Sequence, residues 1–238
     1  MNILLLGYGK MGRAIEAIAT ERGHNIAGKI NENNLDDIKK FSSTNADVAI
    51  EFSQPDAAFD NIKYCLENGI PVLSGTTGWL DKLQDIESLC QQANGTFFYA
   101  SNYSIGVNLF FKLNEQLAEL MKNFGEYNVD IEEIHHTEKK DSPSGTAITL
   151  AEGILKHASS KKQWINKPYG SKEDLVINSI REDKVPGTHT IKYGSAVDDI
   201  EIKHTAHSRE GFAKGAVMVA EWLKDKKGVL SMNDFLKL

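Results

Sequence analysis

The chain begins with Asn2-Ile3-Leu4-Leu5-Leu6, an apolar run without alternation, which predicts a strand buried on both faces. Residues 13–23 then space their apolar positions along one face of a helix, and residues 25–30 predict a second strand. The alternation continues, with strands at 47–52, 70–74 and 96–100 and helices at 56–68 and 80–93. Short apolar strands separated by helices imply a parallel sheet covered on both faces, because parallel neighbours need crossover connections.

Beyond Tyr103 the period changes. Residues 107–124 carry one long amphipathic helix. Residues 127–136 alternate as a half-buried strand with Val129, Ile131 and Glu133 on one face, so His135 and His136 face opposite ways if the strand reaches them. Helical spacing returns at 146–157. Strands follow at 175–181, 188–193 and 199–207 with few crossover helices between them, the pattern of a mixed sheet. A last helix with an apolar stripe covers 213–224. The fold class is therefore α/β, a Rossmann-type parallel sheet joined to a smaller α+β part with a mixed sheet.

Composition narrows the function. With 238 residues the chain is long enough for one large domain or two modest ones. A net charge of −6 argues against non-specific nucleic-acid binding. No apolar run approaches the roughly twenty residues of a membrane span, and the first residues read as a strand and not as a signal peptide. Cys65 and Cys90 lack metal-type spacing, and as packed thiols they suit a reducing, cytoplasmic setting. His204 and His207 sit three apart on a strand and face opposite ways, so no metal site is expected.

The candidate chemistry begins at Gly7-Tyr8-Gly9-Lys10-Met11-Gly12, a G-x-G-x-x-G fingerprint between a strand and a helix. Gly7 permits the tight turn, Gly9 lets a pyrophosphate approach the backbone, and Gly12 allows close helix–strand packing. The acid that holds ribose hydroxyls belongs near the end of the second strand. Here either Glu32, at a suitable distance past Gly12, or Asn31 takes that place, and Lys10, Arg13 and Lys29 offer charge to a 2′-phosphate. NADH and NADPH both remain open. Gly75-Thr76-Thr77 and Ala100-Ser101-Asn102-Tyr103 follow later strands, where ligands of such sheets bind. Their hydroxyls and amides suit a ribose or carboxamide, and Tyr103 is placed to flank a nicotinamide ring.

The densest chemistry is Glu133 to Ala147, EIHHTEKKDSPSGTA. The Ser142-Pro143-Ser144-Gly145-Thr146 turn runs into a helix, whose first amides favour an anion. Lys139 and Lys140 add positive charge, and His135 or His136 can move a proton near neutral pH. Carboxylate binding and proton donation in one loop point to an enzyme acting on a small carboxylic acid.

These segments together resemble the 4-hydroxy-tetrahydrodipicolinate reductases, formerly dihydrodipicolinate reductases, of the diaminopimelate route to lysine. The E-x-H-H-x-x-K-x-D-x-P-S-G-T-A stretch is the most specific. Gly75-Thr76-Thr77-Gly78, residues 101–108, Val185-Pro186-Gly187-Thr188-His189 and Arg209-x-x-Phe212-Ala213-x-Gly215-Ala216 also match. The resemblance implies His135 as proton donor and Lys139 as the catalytic lysine. It implies His136, Ser144, Gly145 and Thr146 as binders of a substrate carboxylate. It puts Gly7, Gly12, Gly75, Thr77, Ala100 and Tyr103 in cofactor-contact segments. It further implies a nucleotide-binding domain of residues 1–104 and 213–238, a substrate domain of 105–212 whose sheet makes a homotetramer, and closure of one on the other. Asn31-Glu32 departs from the family's pattern, so cofactor preference does not carry over. The alternatives are a nicotinamide reductase with another imine or semialdehyde substrate, and a non-catalytic NAD(P)H sensor.

Overall fold

A computed structural model describes residues 1–208 and 210–237; Arg209, named in the resemblance above, lies outside the described residues. The chain forms two compact units, Met1–Ser104 with Glu210–Leu238, and Ile105–Arg209. The first unit runs β1 (Asn2–Leu6), α1 (Lys10–Glu21), β2 (Asn25–Ile30), β3 (Val48–Glu51), α2 (Pro55–Glu67), β4 (Val72–Ser74), α3 (Leu83–Gln92) and β5 (Thr96–Tyr99). The second unit runs α4 (Ile105–Met121), β6 (Asn128–His135), α5 (Gly145–Leu155), β7 (Gln163–Ile165), β8 (Asp174–Arg181), β9 (Gly187–Gly194) and β10 (Asp199–Ala206). The tail returns to the first unit with α6 (Glu210–Leu223), β11 (Gly228–Leu230) and α7 (Met232–Leu236).

The first unit is a parallel sheet in the order β11-β5-β4-β3-β1-β2. The alternating sides of β1 explain its unbroken apolar run. Ile3 and Leu5 face a core with Ile15 and Ala19 of α1 and Ala213, Ala216 and Ala220 of α6, whereas Leu4 and Leu6 face Ala58 and Ile62 of α2 and Ile86 of α3. Each fully buried Leu or Ile contributes about 1.5–3 kcal/mol. Cys65 and Cys90 lie in the second core as free thiols. Winding reverses between β1 and β3, because β2 lies on one side of β1 and β3 on the other. A ligand crevice forms beyond the carboxyl ends of the strands at such a reversal.

The second unit is a mixed sheet in the order β10-β9-β6-β8-β7, with β6 parallel to β8 and antiparallel to β9. α4 and α5 cover one face, where Phe110, Ala118, Leu150 and Ile154 pack on Val129, Ile131, Leu175, Ile177 and Ile191. The other face carries Asp130, Glu132, Thr190 and Lys192, which line a cavity of about 710 Å³. Among the described residues, no helix is long and apolar enough to cross a membrane.

β7, β11 and α7 were not foreseen. They are three, three and five residues long, too short for either periodicity to register.

Candidate active site

In the first unit the fingerprint turn is built by steric exclusion. Gly7 has φ +94°, and a Cβ there would lie 2.0 Å from the Phe52 carbonyl oxygen; one on Gly12 would lie 2.3 Å from the Gly7 oxygen. A Cβ on Gly9 would meet nothing within 4 Å, so the space beside it is open to a ligand. Gly9 is also the N-cap of α1. It brings no capping side chain, and the first turn holds no acid. The first amides of the helix thus lack both intrahelical and side-chain acceptors, which fits a pyrophosphate.

The residues around that turn are partly committed. Tyr8 gives its hydroxyl proton to Glu16. Lys29 pairs with Glu16 at 2.6 Å and stands 4.8 Å above the Tyr8 ring, and Arg13 lies 5.8 Å from the same ring. The Lys29 charge expected for a 2′-phosphate is therefore shared with a carboxylate. Lys10 is exposed, and Met11 is half-buried against the core. Asn31 follows β2 directly. Its Oδ1 accepts from the Asn33 amide at 2.9 Å and its own amide donates to Asn34 Oδ1 at 2.8 Å.

The loops after β3, β4 and β5 are interlocked. Gly75 donates its amide to the Glu51 carbonyl at 2.9 Å, and the Trp79 indole donates to the Thr76 carbonyl at 2.8 Å. Thr77 and Ser101 are exposed, Ala100 is buried, and Asn102 Oδ1 accepts from the Ser104 amide at 2.8 Å. Tyr103 is a correction to the sequence reading. Its ring is 1% exposed, packs 5.4 Å from Phe52 and 5.9 Å from Phe98, and its hydroxyl donates to the Ser74 carbonyl at 2.8 Å. The side chain is a core element that braces this edge, and only its backbone is left to meet a cofactor.

In the second unit, strand register assembles a polar row on the otherwise apolar face. Glu133 pairs with Ser179 on β8 and with His189 on β9, and two residues on, His135 pairs with Arg181. Glu133 is fully buried. Its carboxylate accepts from the Ser144 amide at 3.1 Å to each oxygen, from Ser179 Oγ at 2.7 Å and from Arg181 at 3.3 Å. His135 Nδ1 lies 3.3 Å from Glu133 Oε2, an ion-pair contact without in-line hydrogen-bond geometry. Burial pushes the Glu133 carboxyl up, but the His135 contact and the bonds from Ser144 and Ser179 outweigh it and hold it well below the usual carboxylate range.

His189 completes the row. Its Nε2 is 3.2 Å from Ser144 Oγ, and its ring centroid is 5.1 Å from that of His135. Ser144 Oγ accepts from the Ala147 amide at 3.1 Å. Burial first, and the neighbouring His135 second, push His189 down to about 4. The His135 ring lies over Gly187, where a Cβ would come 3.0 Å from Nε2.

The loop residues surround this row. Lys139 pairs with Asp141 at 2.8 Å, and its charge also acts on His189. His136 is half-buried just past the end of β6. Ser144 is the N-cap of α5, so its amide and hydroxyl are both engaged within the unit, while Gly145 and Thr146 supply the first two helical amides. Glu133, His135 and His189 also hold three ligand atoms within 4.8 Å of one another, a spacing that could take a metal ion. The Arg181 cation already sits on the same carboxylate, which favours the reading as a proton-handling cluster. The sequence reading gave no role to Glu133, Ser179, Arg181 or His189. The available signal was a glutamate on the inward face of an alternating strand, which must find partners when buried.

Solved structures share this architecture. A dipicolinate-bound dihydrodipicolinate reductase from Paenisporosarcina sp. TG-14 superposes with a TM-score of 0.78 over 99% of both chains at 21% identity. A probable dehydrogenase from Thermotoga maritima gives 0.56 over 98% of this chain and 92% of its own at 10% identity. The fold is a Rossmann-type parallel sheet with an appended mixed-sheet unit.

Sequence comparison is more specific. Family models for the N-terminus and the C-terminus of dihydrodipicolinate reductase match residues 1–103 and 106–236. The 4-hydroxy-tetrahydrodipicolinate reductase of Christiangramia forsetii is 52% identical over 99% of this chain and 98% of its own length. That of Methanocaldococcus jannaschii is 34% identical over 84% and 74%. The chain belongs to the dihydrodipicolinate reductase family, and it is an oxidoreductase that uses a pyridine nucleotide.

Proposed function

We propose that this chain reduces 4-hydroxy-tetrahydrodipicolinate to tetrahydrodipicolinate, in the diaminopimelate route to lysine, with NADH or NADPH as the reductant. The observation that carries the reading is the buried Glu133–His135–His189 row beside the α5 N-terminus and Lys139. A titratable imidazole beside a helix N-terminus, in a chain of this family, supports proton donation to a bound carboxylic acid.

In the first unit Gly7, Gly9 and Gly12 would hold the pyrophosphate, and the loops at Gly75-Thr76-Thr77 and Ala100-Ser101-Asn102 the nicotinamide half. When bound, the reduced nicotinamide supplies the hydride. In the second unit the amides of Gly145 and Thr146, with His136, bind a substrate carboxylate. Ser144 fixes that turn through its bonds to Glu133 and Ala147. His135 gives the proton that accompanies the hydride, and Glu133 holds its ring. Lys139 balances negative charge that builds on the substrate. The hydroxyl of the substrate leaves as water with a proton from the neighbouring ring carbon, and the hydride and the His135 proton then add across the double bond so formed. Asn31 at the end of β2 brings no carboxylate against a 2′-phosphate, which supports use of both dinucleotides. The open polar face of the second sheet supports assembly of four copies, and a cytoplasmic setting suits the pathway.

The test supplies the substrate in situ from pyruvate and aspartate semialdehyde with the preceding synthase, and follows loss of reduced nicotinamide absorbance for each dinucleotide separately. Oxidation that requires the synthase product is the expected result. Dinucleotide binding without such oxidation would reject this substrate.

A further inference from the structure

Glu51 ends β3 at the winding reversal and is fully buried. Its carboxylate accepts from Ser74 Oγ at 2.6 Å, Thr76 Oγ1 at 3.0 Å, the Ser53 amide at 2.9 Å and the Ser53 hydroxyl. All four donors are neutral, and they come from β4 and from the loops that follow β3 and β4. The Phe52 carbonyl beside Ser53 also forms the wall against which Gly7 turns. One carboxylate thus ties two loops together next to the fingerprint.

It also sets their polarity. A hydroxyl that gives its proton to Glu51 keeps only lone pairs for other partners. Thr76 Oγ1 spends one lone pair on the Ser53 amide at 2.9 Å, and Ser53 Oγ spends one on Asn61 Nδ2 at 3.3 Å. One lone pair remains on each oxygen. β3 and β4 lie on the side of β1 away from β2, the side that faces the nicotinamide half of a dinucleotide whose adenosine lies toward β2. Ribose hydroxyls both donate and accept, so any hydroxyl satisfies them. The carboxamide NH2 only donates, so an edge constrained to accept selects for it.

We propose that Glu51 is a positioning residue for the nicotinamide carboxamide: by taking the protons of Ser53 and Thr76 it makes this edge an acceptor for the carboxamide NH2. The inference rests on dinucleotide binding at the first unit as proposed above.

The test is fluorescence titration of the full chain, without substrate, using NADH and its reduced 3-acetylpyridine analogue, whose methyl ketone has no N–H. Glu51→Gln keeps the size but brings an NH2 that competes for the hydroxyl oxygens. It is expected to weaken NADH binding about tenfold and analogue binding much less, so that discrimination between the two collapses. Thr76→Val removes one acceptor while leaving the carboxylate in place, and serves if Glu51→Gln fails to fold; the same selective loss is expected. Equal losses for both dinucleotides, or no loss in either variant, would overturn the proposal. Wild-type chain that binds neither dinucleotide would overturn the cofactor reading and this inference with it.

Discussion

The two units each bury one carboxylate at the heart of their polar site, and the carboxylates are solvated differently. Glu51 is held by hydroxyls and an amide alone. Glu133 is held by an amide, a hydroxyl, a guanidinium and an imidazole. A neutral shell can only orient the groups that donate to it. A shell that contains histidines can also take up and release protons, and the surrounding burial decides at what pH. On the proposed reading, the first unit orients and the second transfers protons.

The largest expected effect sharpens the proton-transfer side. Replacing His135 by Gln removes the proposed proton carrier while keeping a side chain of similar reach. Turnover should fall roughly hundredfold or more, with NADH affinity unchanged by titration. A variant that retains most of its turnover would remove His135 from the chemistry.

Next comes acid stability. The fold holds the His189 imidazole neutral down to about 4 against an ordinary 6.5, so the unfolded chain binds the extra proton in that window. Stability from this group is fully present above pH 6.5 and is lost as pH falls toward 4, by roughly 3 kcal/mol in all. Glu133, held low, loses its contribution in the same direction below the ordinary carboxylate value of 4.5. Denaturant melts from pH 7 to 4 should fall steeply for the wild type and less steeply for His189→Gln. Parallel slopes would separate His189 from the acid response.

Smaller effects test the orienting side. Gly9→Ala adds a methyl into open space, so the melting temperature should hold while dinucleotide affinity drops about tenfold. Gly7→Ala should destabilise the fold itself, because its Cβ has no room beside Phe52. The smallest effect sets the scale. Glu221 pairs with Arg22 at 2.7 Å and with His24 at 2.7 Å near the surface, and Glu221→Gln should cost under about 1 kcal/mol with no change in either function.

The sequence revealed most of what is locally periodic. The buried strands of the first unit, the fingerprint and the inward face of β6 were legible because spacing of two or 3.6 residues records burial. What escaped depended on partners far along the chain. Ser179, Arg181 and His189 reach Glu133 only through the register of β8 and β9. Glu51 falls inside the strand predicted at 47–52, and its burial was hidden for a different reason. A parallel strand covered on both faces shows no alternation, so the pattern gives no sign that an acid within it is buried. Tyr103 misled because an aromatic in a loop gives no sign of whether it faces a ligand or the core.

The most direct measurement compares Glu51→Gln and Glu133→Gln in one experiment, with NADH affinity by titration and kcat at saturating NADH with synthase-generated substrate. The account predicts a crossed pattern. Glu51→Gln should lose mainly affinity, whereas Glu133→Gln should bind NADH as the wild type does and lose mainly kcat. Equal losses of both quantities in the two variants would contradict the division between an orienting and a proton-transferring carboxylate.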